Sequence, residues 1–170
     1  MQKMRAALLT GATLSAITLA TAVSGPASAA ANFTHAWNDS PSVNECLATS
    51  ADTVGQPAIM WTCDSEPGQQ WIATVDGNNQ VQISTPQGGC LDSKDLGEGS
   101  RIYVEPCVGS QTQGWYEQAT SGDYIEWANY GTGYCISVSG GSTARGASVI
   151  SWKCQQTPDQ FWGGSMSDLG

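Results

Sequence analysis

The 170-residue chain is poor in charge, and poorest in positive charge: 6 Lys and Arg stand against 15 Asp and Glu, with one histidine, His35. An acidic surface with scattered cations repels phosphate backbones, which argues against nucleic acid or an anionic membrane as partner. A lone His35, with no Ser or Cys nucleophile placed beside it, does not form a nucleophile–base pair. No two cysteines stand close enough for the short Cys-x-x-Cys spacing of a zinc site, so no metal is expected. Good helix formers are also scarce. Gly, Ser, Thr, Gln and Asn dominate, and apolar residues come in short runs bounded by turn residues, an all-β composition.

One long uncharged run exists, Ala6 to Val23, behind a head carrying Lys3 and Arg5. It exits on Ser24-Gly25-Pro26-Ala27-Ser28-Ala29-Ala30, a small-residue sequence suited to signal peptidase. The run is rich in Ala and Thr and only weakly apolar, so residues 1–30 read as a secretory signal rather than a membrane anchor, with cleavage after Ala29 or Ala30. Its removal leaves Lys94, Arg101, Arg145 and Lys153 against fifteen acids, a formal balance of −11. Such acidity can signal disorder, but residues 31–170 keep all seven Trp and all six Cys, which disordered segments lack. Their length suits one domain.

The cysteines fall in pairs: Cys46 and Cys63, Cys90 and Cys107, Cys135 and Cys154. A Gln-x-Trp triplet follows each pair, at Gln69-Gln70-Trp71, Gln113-Gly114-Trp115 and Gln160-Phe161-Trp162. Each first cysteine precedes Leu47, Leu91 or Ile136. These markers share one period and define three units, about 32–76, 77–121 and 122–164, with a short tail at 165–170. Each unit holds four short strands, and a unit this small must share its core with the other two. Six cysteines allow fifteen pairings. Identical units should close identical loops, which predicts Cys46–Cys63, Cys90–Cys107 and Cys135–Cys154. Each such loop contributes roughly 3 kcal/mol by the chain-entropy estimate. Trp71, Trp115 and Trp162 are expected in the core, and Trp37 and Trp127 in packing.

The unit Cys-Leu-Asp…Gly…Cys…Gln-x-Trp, complete at Cys90-Leu91-Asp92 through Gln113-Gly114-Trp115, resembles the ricin B-type lectin repeat, also found in family 13 carbohydrate-binding modules. The resemblance covers roughly residues 32–164. It implies a β-trefoil, a six-stranded barrel capped by three hairpins. It also implies one shallow galactose- or xylose-type site per unit: an Asp two after the first cysteine, an aromatic platform two before the second, and an Asn before the motif glutamine. A carboxylate accepts from sugar hydroxyls, a ring packs on the apolar face of the pyranose, and amides complete the bonding.

No unit carries that set whole. The first has Ala48, then Trp61, with Gly68 before Gln69. The second keeps Asp92, but Glu105 takes the platform position and Thr112 precedes Gln113; Tyr103, two residues before Glu105 and on the same strand face, is a displaced platform. The third has Ser137, Trp152, Asp159 and Gln160. The candidate sugar-binding residues are therefore Trp61, Gln69, Asp92, Tyr103, Glu105, Gln113, Trp152, Asp159 and Gln160.

The expectation is a secreted, non-catalytic, carbohydrate-binding protein without cofactor, holding a galactose- or xylose-type polysaccharide weakly and through repeated sites. The alternative is a trefoil with degenerate sugar sites that binds a protein as an inhibitor or toxin partner. Catalysis is not expected, because the repeats take up the chain and leave no separate catalytic domain. Asn32-Phe33-Thr34 and Asn38-Asp39-Ser40 fit the glycosylation pattern.

Overall fold

The computed structural model describes residues 34–35, 44–50, 54–64, 66–76, 78, 80–94 and 96–163. The expected signal segment, Trp37, Asn32, Asn38 and the tail lie outside the described residues. Twelve strands are found among those described, four to a unit. The first unit holds β1 (Thr34–His35), β2 (Glu45–Thr49), β3 (Gln56–Thr62) and β4 (Ile72–Val75). The second holds β5 (Val81–Ser84), β6 (Gly89–Asp92), β7 (Tyr103–Pro106) and β8 (Gly114–Ser121). The third holds β9 (Tyr124–Asn129), β10 (Cys135–Val138), β11 (Val149–Trp152) and β12 (Phe161–Gly163).

All pairings are antiparallel, as short connections between neighbouring strands require. The outer strands of each unit run in the order β4-β5-β8-β9-β12-β1 and form the barrel wall. The inner strands form three hairpins, β2–β3, β6–β7 and β10–β11, in matching register: Cys46 faces Trp61, Cys90 faces Glu105 and Cys135 faces Trp152. The hairpins meet around the threefold axis through equivalent bonds. The amides of Gly55, Gly99 and Gly146 donate to the carbonyls of Val104, Ser151 and Met60, each three residues before a second cysteine. This architecture is a β-trefoil.

The core repeats with the sequence. Leu47, Leu91 and Ile136 form one buried set, Ala58, Ile102 and Val149 a second, and Trp71, Trp115 and Trp162 a third. Each tryptophan donates its indole N–H across its own unit, to Leu47 O at 2.9 Å, Leu91 O at 3.1 Å and Ile136 O at 3.0 Å. A buried indole N–H usually takes such a partner, although that of Trp127 has none among the described residues. Trp127 is buried as well. The disulfides join Cys46–Cys63, Cys90–Cys107 and Cys135–Cys154, with Cα atoms 5.0, 5.0 and 5.1 Å apart.

Candidate functional site

The motif glutamines sit beneath the candidate sites and shape them. All three are buried, and each bonds the backbone on both sides of its second cysteine, where the following loop begins. Gln69 Nε2 donates to Thr62 O and its Oε1 accepts from Asp64 N. Gln113 does the same with Pro106 O and Val108 N, and Gln160 with Lys153 O and Gln155 N. Their amides are thus committed to backbone groups that would otherwise lose water without a partner. Gln69 also lines a cavity, and Gln113 a smaller one.

In the third unit, hairpin β10–β11 and the loop before β12 enclose an open pocket of about 460 Å³. Trp152 stands on its wall, 37% exposed. Ser137 occupies the position where the resemblance expects an acid, and its hydroxyl donates to Asp159 Oδ2 at 2.7 Å. The carboxylate therefore reaches the site from the opposite side, out of the position expected to hold Asn. An aromatic platform and an acid share one pocket, at the positions the unit pattern assigns to the platform and the Asn. Gln155 and Thr157 extend the polar wall.

The first unit has a comparable pocket of about 380 Å³, with Trp61 on its wall at 39% exposure. Ala48 and Gly68 leave both expected polar positions without a functional group, and Asp64 and Glu66 supply acid at the wall instead. Arg145, from the third unit, lies with its Cζ 4.9 Å from the Trp61 ring centre. Its Nε and Nη2 both donate to Thr62 Oγ1, at 3.1 and 2.7 Å. Burial holds the neighbouring Glu45 carboxyl above the ordinary carboxylate range, against the Thr62 hydrogen bond and the Arg145 charge.

The second unit brings its candidates together and then covers them. Asp92 is buried, opposite Tyr103 in the hairpin, and its Oδ2 accepts from Gln113 Nε2 at 3.0 Å. Its Oδ1 accepts from the Lys94 amide at 2.7 Å, fixing Lys94 in a left-handed turn at φ 55°. The Lys94 ammonium then lies 4.4 Å from the Tyr103 ring centre and pairs with Glu105. The hydrogen bond to Glu105 raises the Lys94 pKa, so the ammonium stays charged over the whole neutral range. Asp92, Tyr103 and Glu105 are all bonded within the chain.

Neither covering cation was among the candidates. Lys94 carries a weak signal, two residues after Asp92. Arg145 carries none, being separated from Trp61 by about half of the chain.

These features define a disulfide-stapled β-trefoil of three lectin-type repeats, with sugar-sized hollows beside exposed rings. The chain belongs to the ricin-type β-trefoil lectin domain family, whose model matches residues 38–162. Solved structures share the fold at low identity. The designed 3-fold symmetric protein ThreeFoil has a TM-score of 0.72 at 18% identity, covering 79% of this chain and 96% of its own. The exo-β-1,3-galactanase 1,3Gal43A from Clostridium thermocellum has 0.72 at 19%, covering 82% of this chain but 30% of its own. The C-half of the earthworm R-type lectin, in complex with GalNAc, has 0.59 at 16%, covering 80% and 97%. Among curated proteins, none matches the chain.

Proposed function

We propose that this is an exported, non-catalytic carbohydrate-binding protein whose principal site is the third-unit pocket, taking a galactose- or xylose-type unit of a polysaccharide. One observation carries the reading: Trp152 and the Ser137–Asp159 pair line the same open pocket. A pyranose can lay its apolar face on the ring while the carboxylate accepts from its hydroxyls. Support for the ligand class comes from the family and from the earthworm lectin's complex with GalNAc. Support for export comes from the residue 1–30 pattern and from three disulfides, which persist in oxidising compartments.

Retention on insoluble polysaccharides, together with a glycan array, tests this. Wild-type protein is expected to be retained on at least one galactose- or xylose-containing polymer. Trp152→Ala should weaken binding about tenfold or more through loss of the buried ring face. Asp159→Ala should weaken it about 5- to 150-fold, the range for a polar group left unpaired. No retention on any polymer would overturn the reading. It would favour a protein-binding trefoil, which the covering of Trp61 by Arg145 and of Tyr103 by Lys94 already suits.

A further inference from the structure

Glu126 lies on β9, is fully buried, and has no role in the barrel's repeat. Its Oε1 accepts two backbone amides, Gln155 at 3.1 Å and Gln156 at 2.8 Å. Its Oε2 is buried without a hydrogen-bond partner among the described residues. A carboxylate placed this way is costly unless it holds something that matters. The sulfurs of Cys135 and Cys154 lie within 4.8 Å, but they are joined to each other and offer no thiolate to a metal.

What it holds is the loop that forms the polar wall of the third pocket, Gln155 to Asp159. That loop contains a backbone that its sequence disfavours, since Gln156 sits at φ 55°, in the left-handed region. The second unit makes the same turn differently. Two residues after Cys107 it has Gly109, at φ 67°, where no side chain opposes the conformation. Strand register identifies the second-unit counterpart of Glu126 as Gln82, since Gln82 faces Gly114 and Glu126 faces Phe161, each just before a core tryptophan. One unit thus pairs glycine with a neutral residue, and the other pairs glutamine with a buried acid. Gln155 N is also held by Gln160 Oε1, so Gln156 N is the bond that Glu126 alone supplies.

We propose that Glu126 is a positioning residue for the third pocket: it offsets the left-handed Gln156 and so fixes Gln155, Thr157 and Asp159 where a ligand meets them. The proposal rests on the carbohydrate reading for its ligand but not for its geometry, so it is tested at both levels.

Glu126→Ala and the double variant Glu126→Ala with Gln156→Gly are compared with wild type, disulfides intact. Amide hydrogen exchange of the ligand-free proteins reads the loop. The Gln155 and Gln156 amides should exchange about tenfold faster or more in Glu126→Ala, while the Trp71 and Trp115 strands stay protected. Polymer retention or glycan affinity reads the site. Glu126→Ala should bind about tenfold more weakly, and adding Gln156→Gly should recover most of that loss, which a general loss of stability would not do. Unchanged exchange at Gln155 and Gln156 in Glu126→Ala would overturn the proposal. So would a weakened site that Gln156→Gly does not rescue in a folded double variant. If wild type binds no glycan, the carbohydrate reading falls, and the exchange result still decides whether Glu126 positions the loop.

Discussion

Ser151 shows how much a single residue can depart from the repeat. Its counterparts, three residues before the other second cysteines, are Met60 and Val104, and all three are buried. The Ser151 hydroxyl has no hydrogen-bond partner among the described residues. A buried hydroxyl without a partner loses its water for nothing in return. Ser151→Val restores the residue type of the second unit and removes the orphan, at the cost of fitting one further methyl group beside Ile136, which it faces across the hairpin. Denaturant unfolding should show stabilisation of about 1 kcal/mol, with an unchanged denaturant slope. A destabilised variant would show that the site has no room for the larger side chain. The motif glutamines teach the complementary lesson. Their recurrence before each tryptophan is plain in the sequence, but the recurrence reflects loop clamping by both ends of each amide. Residue type and spacing are the same for a clamp and for a ligand, so the pattern did not separate the two roles.

At the scale of elements, the strands were legible where the repeat marked them. Val81–Ser84, the run before Cys90, is β5, and the run that leads to Cys63 is β3, reaching back to Gln56. The run from Arg101 to Cys107 is only partly a strand of its hairpin. Its first residues turn toward the threefold axis, where Arg101 bridges Ile150 and the Ile102 amide donates to Val149 O. A contact with another unit's hairpin leaves no periodicity in the strand itself, so this boundary was not readable. Gly89, the first residue of β6, is another local event. A Cβ there would stand 2.4 Å from Val104 Cγ1, whereas the other units place Glu45 and Tyr134 before their first cysteines. Gly89→Ala must therefore push Val104 out of the core between two hairpins. A loss of about 1–3 kcal/mol is expected for such overpacking, read by thermal or denaturant unfolding. Unfolding at the wild-type midpoint would mean that Val104 moves aside freely.

For the whole molecule, the threefold axis explains why the scaffold was plain in the sequence and the site was not. Leu47, Leu91 and Ile136, and with them Ala58, Ile102 and Val149, belong to one shared core, so a change in any of them disturbs packing in all three units. Pocket residues answer only to their own hairpin and one neighbouring loop, and they have diverged in three directions. The first unit keeps its ring but sets Arg145 over it; the second keeps its acid but closes it with Lys94 and Glu105. In the third, the acid has moved from the hairpin to the Gln160 loop, where Asp159 meets Ser137 beside Trp152. No cation stands over the Trp152 ring among the described residues. A molecule built from three equal scaffolds should therefore bind as if it had one strong site. Calorimetry with a soluble oligosaccharide of the retained polymer should give one equivalent per chain, and Trp152→Ala should remove it. Lys94→Ala, which uncovers the Tyr103 ring beside Asp92, should add a second and weaker equivalent without altering the first. Three equal equivalents in the wild type would mean that the covering cations yield readily to sugar, and that avidity across the units, rather than one pocket, governs binding.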